Sequence, residues 1–469
     1  MTTTRRVIDV EEKVPLLQGI PLSLQHLFAM FGASVLVPIL FNQAAGVQVV
    51  DPALVLLLNG IGTLIYLFVC RGKAPAFLGS SFAFISPTIS CITAQGVDPK
   101  LGFARAAGGF VASGLVFIAV ALVIRFAGRR WISVVLPPAA MGPIVALIGL
   151  ELAPVATGMS FLKNGKVDGI ATLISLFTLG VVIVGSLVFR RFLAAIPVLI
   201  GVIAGYALAV GIDLWWVRGT MDYTPLTQAS FLTIPQPVWP SFDAASILIV
   251  LPAALVVISE HIGHLFVTSN IVGKNLLKNP GLHNSLLGDG ISTALSGFTG
   301  SCPTTTYGEN MGVMAITKVY SVWVIGGAAV ISIALAFFGQ VSGAIRTLPV
   351  PVIGGISMML FGVIAASGLR MLIEARVDYS KSRNLMLSAV VFVIGISGVA
   401  IPIGKTELKG MVLATLVGMV LSLFMYVMEQ LRLTAEPPEP LTDGLDEAHE
   451  ASTTSNVSNA SNASAAPQV

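Results

Sequence analysis

Charge is scarce in this sequence. Asp, Glu, Lys and Arg make up 10% of 469 residues, against roughly 25% in an ordinary globular protein. The length would suit about three soluble domains, but so few charges cannot coat three water-facing surfaces. A soluble protein is excluded. Cysteine is also rare. Cys70, Cys91 and Cys302 lie within or at the ends of apolar stretches and read as small core residues rather than redox or metal groups. Five histidines are too few and too scattered for a large metal centre, so no metal and no cofactor is expected. The N-terminus mixes Arg5, Arg6, Asp9, Glu11, Glu12 and Lys13 ahead of a long apolar stretch, which does not suit a cleavable signal peptide.

Long uncharged runs are present instead. No acid or base occurs over residues 14–50, 52–70, 74–97, 106–124, 169–189, 192–212 or 319–345. Each run is near or above the ~20 residues with which a helix crosses a hydrocarbon core. An all-α polytopic membrane protein follows. Counting apolar segments between breaks gives about fourteen spans, at 20–42, 53–70, 74–92, 106–124, 131–152, 169–189, 192–212, 245–267, 283–298, 302–317, 320–342, 348–369, 384–404 and 409–430.

Charge tests the count. Residues 1–435 hold 26 bases against 17 acids, an excess that reads as orienting loop charge and not as a nucleic-acid surface. With fourteen spans, 18 of the 26 bases fall on the side of the N-terminus and eight, Lys100 and Arg346 among them, on the other. That asymmetry predicts both termini in the cytoplasm.

Fourteen divides into seven and seven, and an odd number per half makes the halves inverted copies, as in many transporters. Short echoes recur in the same order: His26-Leu27-Phe28 with His264-Leu265-Phe266, Gly79-Ser80 with Gly300-Ser301, and Leu136-Pro137 with Leu348-Pro349. The expected organisation is an N-terminal segment (1–13), a first repeat (14–212), an extracytoplasmic loop (213–244), a second repeat (245–432) and a cytoplasmic tail (433–469). The tail is Pro/Glu-rich and then Ser/Asn/Ala-rich, with nothing to bury, and is expected to be disordered.

Two segments do not read as plain helices. Residues 74–87 carry prolines at both ends of a small polar centre, and residues 300–310 pack Pro303, three threonines and Gly308 together. They hold corresponding places, third and tenth, and are expected to be broken, with short extended strands. Unwound backbone at membrane depth needs protein or a watery cavity to satisfy it, and paired interruptions point to a transporter's binding site. Proline kinks that serve only packing are the alternative.

Glu260 and Glu309 lie inside apolar spans, and Asp289 is placed in one as well. A charge at mid-membrane costs roughly 2.5–3.5 kcal/mol on insertion scales, so such residues are functional candidates. Glu260 and His264 are four apart and share a helix face, with His261 about 100° away. At Glu309 a helix N-terminus favours the ionised form while apolar surroundings oppose it, which suits a group that takes up and releases a proton. His26 and Asp289 read equally well as structural residues, Asp289 by holding broken backbone. Glu151, at a span end, reads as interfacial. Glu260-His261 followed by His264 lacks the two-histidine spacing of a zinc helix.

On these residues the chain resembles the nucleobase/ascorbate transporter family, and most nearly its bacterial uracil:proton symporters. The resemblance rests on Ile20-Pro21-Leu22-Ser23-Leu24-Gln25-His26, Gly79-Ser80-Ser81-Phe82-Ala83-Phe84, Ser259-Glu260-His261-Ile262-Gly263-His264 and Thr305-Thr306-Tyr307-Gly308-Glu309-Asn310, in order, and runs from about residue 13 to 432. It implies a core domain (spans 1–4 and 8–11) moving against a gate domain (spans 5–7 and 12–14), in a bacterial inner membrane. It also implies that Glu260 and Glu309 hydrogen-bond a uracil ring, with the backbone N–H groups of Phe82 and Gly308 at its carbonyls and Tyr307 nearby. Glu260, His264 and Glu309 would couple protons, and homodimers would form through the gate domain within membrane lipid.

Purine (xanthine or uric acid) or anion transport on the same fold is a second reading. An anion carrier would be expected to place Arg or Lys within the broken segments, and none lies between Ala74 and Val97 or between Asp289 and Thr317. An intramembrane hydrolase built on Ser259, Glu260 and His264 is a remote third, and no enzyme is expected.

Overall fold

The structure, a computed structural model, describes residues 7–163, 165–190, 192–219, 221–403 and 406–434. The expected tail lies, from residue 435 onward, outside the described residues. In chain order, α1 (Leu16–Ala45) and α2 (Pro52–Val69) lead to strand β1 (Leu78–Ser80), a 3₁₀ turn (Phe82–Phe84) and α3 (Ile85–Ile92). Then come α4 (Pro99–Ala127), α5 (Arg130–Val135), α6 (Pro138–Phe161), the hairpin β2 (Leu162–Lys163) and β3 (Lys166–Val167), α7 (Gly169–Val188) and α8 (Pro197–Trp215). After the short α9 (Thr224–Thr227), the chain continues through α10 (Ala244–Val250), α11 (Pro252–Val272), α12 (Leu282–Thr299), β4 (Thr304–Thr306) and α13 (Gly308–Thr317). It ends with α14 (Val322–Ala336), α15 (Gly339–Arg346), α16 (Val350–Glu374), α17 (Ser382–Ile396), the hairpin β5 (Ala400–Ile403) and β6 (Thr406–Lys409), and α18 (Gly410–Gln430).

Helix starts follow the sparse acids. Asp51, Asp98, Asp168 and Asp243 each stand just before an apolar run, and each side chain accepts a backbone N–H of the first turn, from Ala53, Lys100, Ala171 and Ser246. An acid in that position satisfies an orphan donor and favours the positive end of the helix. Nine helical stretches among the described residues are long and apolar enough to cross a membrane, and this is a mostly helical multi-pass membrane protein.

Several expected spans are cut. The stretch 131–152 divides at Leu136-Pro137, because Pro137 is extended (φ −66°, ψ 158°) and caps α6. The stretch 320–342 divides at Phe337-Phe338 between α14 and α15. Helix α17 stops at Ile396, short of the expected residue 404, and the chain turns into β5.

Packing pairs the two halves of the chain. Helix α6 lies against α16, α4 against α12, and α2 against α14, while α7 packs on α8 and α16, and α17 on α18 and α6. Exchanging the halves maps this set of neighbours onto itself. The α6–α16 crossing is tight: a methyl on Gly149 would strike the Phe361 carbonyl, and one on Gly368 the Ala146 backbone. Small residues there let two backbones approach closely. Pro349 caps α16 as Pro137 caps α6, so this sequence echo has a structural counterpart. The Gly79-Ser80 echo does not: those residues form β1, whereas Gly300 is the left-handed cap of α12.

Candidate functional site

Strands β1 and β4 pair antiparallel, Leu78 with Thr306, Gly79 with Thr305 and Ser80 with Thr304. Flanking bonds extend the ladder: Ser81 N–H donates to Pro303 O (2.8 Å) and Tyr307 N–H to Phe77 O (3.1 Å). Short buried strands solve the problem of unwound backbone, since each satisfies the other's polar groups. A threonine from the preceding helix steadies each strand. Leu78 N–H donates to Thr63 Oγ1 (2.9 Å), and Thr304 N–H to Thr293 Oγ1 (3.3 Å). Thr63 of α2 and Thr293 of α12 thus play the same part, one at Leu78 and the other at Thr304.

A helix follows each strand directly. Phe82 opens the 3₁₀ turn and Gly308 opens α13, so their N–H groups belong to first turns, where no intrahelical acceptor exists. Helix α11 lies alongside both, touching the turn at 82–84, β4 and α13. It brings Glu260 within electrostatic reach of Glu309 and Asp289. Glu260 is buried, and its Oε2 has no hydrogen-bond partner among the described residues. Glu309 is half-buried in the first turn of α13.

His264, one turn along α11 from Glu260, places Nδ1 2.8 Å from the Thr306 carbonyl. A carbonyl only accepts, so Nδ1 carries the hydrogen and Nε2 has a free lone pair in the neutral ring. Nε2 lies beside Gly308, 3.7 Å from where a methyl on that glycine would sit. Phe82 is buried and meets Phe361 of α16 edge-on, with ring centroids 5.9 Å apart. The Tyr307 hydroxyl donates to Ser80 O (2.9 Å), and its ring lies where a Gly79 side chain would be. Tyr307 therefore clasps the two strands.

His26 of α1 lies against α13. The Asn310 amide donates to its Nδ1 (3.1 Å). Asp289 is fully buried: Oδ2 faces His261 Nδ1 at 3.0 Å, and Thr304 Oγ1 donates to Oδ1 at 3.3 Å. His261 Nε2 meets Ser285 Oγ (2.7 Å), which meets the Tyr66 hydroxyl (2.8 Å). This chain from Tyr66 to Thr304 ties α2, α11 and α12 to β4. Sequence reasoning missed His261 and Asn310. The signal for His261 was Asp289, a second ionisable group in an apolar span that needed a partner. Glu151 is half-buried on α6, and its Oε2 accepts the Met411 N–H (2.7 Å) at the start of α18.

The comparisons with known proteins agree with this architecture. A family model described as "Permease family" matches residues 17–404. The uracil permease of Escherichia coli (strain K12) is 53% identical over 446 residues, covering 94% of this chain and 98% of that protein. The uracil permease of Paenibacillus larvae is 52% identical over 92% of this chain and 99% of that protein. The putative pyrimidine permease RutG of E. coli K12 is 35% identical over 88% and 91%. Among solved structures, the transmembrane domain of the cyanobacterial bicarbonate transporter BicA matches with a TM-score of 0.58 at 15% identity, covering 88% of this chain and all of that one. Murine Slc26a9, an anion transporter in an inward-facing state, matches at 0.65 and 12% identity, covering 89% of this chain and 69% of that one. At such identities the structures speak for the fold alone.

Proposed function

The chain belongs to the nucleobase and uracil permease family, a family of transporters and not of enzymes, and from that premise we propose that it imports uracil together with protons across a bacterial cytoplasmic membrane. The observation that carries the reading is the pair Glu260 and Glu309, two acids in an apolar bundle set beside two helix starts and a strand pair. Uracil is flat and neutral, with alternating C=O acceptors and N–H donors. An ionised carboxylate can only accept hydrogen bonds, whereas a protonated one both donates and accepts. A proton on either acid therefore lets it bind a ring N–H and the neighbouring C=O together, and binding of base and proton become linked. The N–H groups of Phe82 and Gly308 supply donors to the ring carbonyls, and the Phe82 side chain gives an apolar wall.

The spans around α1–α4 and α10–α14 act as a core that moves against a gate of α5–α8 and α15–α18, with both termini in the cytoplasm. The Phe82–Phe361 contact spans that division. One charge driven through 100 mV supplies ~2.3 kcal/mol, enough for about 50-fold accumulation at ~1.4 kcal/mol per tenfold. The experiment is equilibrium binding of labelled uracil to the purified full chain, with xanthine, thymine and cytosine as competitors. Glu260→Ala and Glu309→Ala should each abolish binding; unchanged affinity in either removes that residue from the site, and stronger competition by xanthine favours a purine carrier.

A further inference from the structure

The N-terminal segment forms a strap across the face where α13 ends. Ile8 N–H donates to Lys318 O (3.0 Å), Tyr320 N–H to Ile8 O (2.9 Å) and Val322 N–H to Val10 O (2.9 Å). Residues 8–10 thus run parallel to 318–322, the stretch that joins α13 to α14, with a bridge between Ile8 and Val319. Side chains reinforce the pairing. Ser321 Oγ donates to Glu12 O (2.6 Å), the Lys13 ammonium lies 4.9 Å from the centre of the Trp323 ring, and Asp9 pairs with Lys274 beyond the end of α11 (2.7 Å). Val10 is buried, an apolar anchor in a segment otherwise rich in charge.

Helix α13 depends on such support. It has ten residues, and a helix that short is marginal in isolation. Its first turn carries Gly308, Glu309 and Asn310, and is fixed by β4 and by the Asn310 amide on His26 of α1. Its other end leads into Lys318, which adopts the left-handed conformation (φ 61°). That conformation is unfavourable for a residue with a side chain, and the Lys318 carbonyl is the group that Ile8 holds. Only Val14 and Pro15 separate Lys13 from the start of α1. One continuous stretch, residues 8–26, therefore grips α13 at both ends. Helix α3, which follows the partner strand β1, ends differently, in a turn through Gly96 (φ 70°) that leads into α4.

Resting on the uracil reading, we infer that the N-terminal strap positions the binding site: by closing the far end of α13 it fixes the axis of that helix, and with it the places of Gly308 and Glu309. A helix held at one end pivots and frays; held at both, it has a single axis. The two ends lie about 14 Å apart at 1.5 Å per residue, so the strap acts on the site through the helix and touches no substrate. Val10 and the backbone of residues 8–10 are positioning groups in this sense. Apparent affinity scales with the fraction of molecules in the competent form. A tenfold rise in Kd thus corresponds to α13 holding its place for about a tenth of the time.

The test uses the purified full chain and two readouts, affinity for labelled uracil and hydrogen exchange of the backbone amides, both taken well below the thermal midpoint. Val10→Asp puts a charge at the buried anchor. Val10→Ala only loosens the packing, and keeps the test open should the charge prevent folding. Glu11→Gln, at an exposed neighbour, is the control. Val10→Asp should weaken uracil binding by about tenfold or more, and Val10→Ala by a few fold. Exchange should quicken in α13 and stay unchanged in α3, while Glu11→Gln should alter neither readout. Uracil affinity equal to the parent's in the Val10 variants, even with a lowered thermal midpoint, makes the strap merely structural and overturns the proposal. Equal acceleration of exchange in α3 and α13 also overturns it. A parent protein that binds no uracil sinks the uracil reading, whereas the exchange comparison needs no ligand and still decides whether the strap holds α13.

Discussion

His261 and Asp289 face each other inside the bundle with Nδ1 3.0 Å from Oδ2, and both side chains are fully buried. The pair does not hang free: Ser285 and Tyr66 continue it on one side and Thr304 on the other. Removing one partner of such a pair strands the other and typically costs ~3–5 kcal/mol. Asp289→Ala should therefore lower the thermal midpoint of the purified protein far more than Asp289→Asn, which keeps a hydrogen-bonding side chain. Equal midpoints for the parent and Asp289→Ala would show that β4 is held by other means.

Tyr307 and Gly79 make a reciprocal fit, with the ring occupying the space a side chain on Gly79 would need. Tyr307→Phe removes only the hydrogen bond to Ser80, a loss of about 1 kcal/mol, and should leave uracil binding measurable. Gly79→Val should displace the ring, spread the strands and abolish binding. Retained binding in Gly79→Val would mean that the strand crossing does not shape the site.

The α6–α16 crossing is a third test. Gly149→Val should cost about 1–3 kcal/mol or more through overpacking against the Phe361 carbonyl, whereas Gly158→Ala on the same helix meets open space and should be silent. Thermal unfolding of the two variants in detergent separates them.

Much of this architecture was legible because the bilayer demands long uncharged runs. The runs at 14–50, 52–70 and 106–124 became α1, α2 and α4 for that reason. Glu260 and Glu309 stood out because charge in such a run is expensive. What the sequence did not carry was long-range pairing. Nothing local says that Leu78 meets Thr306, or that Thr63 and Thr293 hold equivalent strands. The echo at Gly79 and Gly300 misled because glycine serves a strand crossing in one place and a helix cap in the other. The backbone donor that the start of α18 provides to Glu151 was hidden for the same reason, since Met411 lies 260 positions away. The N-terminal strap was equally hidden, since Val10 is buried by residues more than 300 positions away.

That strap predicts a weak pH effect. The hydrogen bond from Lys274, with the Val10 N–H, holds the Asp9 carboxyl below its ordinary value of 3.8. A group lowered in the folded state contributes stability above its unfolded pKa and loses it as pH falls through the folded one. At neutral pH the contribution is present, but the pair is exposed, so screening limits it to about 0.5 kcal/mol. Asp9→Asn should shift the thermal midpoint slightly at low salt and not at high salt. A large, salt-independent shift would assign Asp9 a different role.

Linked binding of uracil and a proton at Glu260 and Glu309 underlies the proposed transport. Labelled uracil uptake into vesicles under an imposed pH gradient tests it most directly, in the parent protein and in Glu260→Gln and Glu309→Gln. The parent should show gradient-driven accumulation, and at least one Gln variant should show residual binding whose pH dependence is gone. Full pH-dependent accumulation in both Gln variants would contradict it.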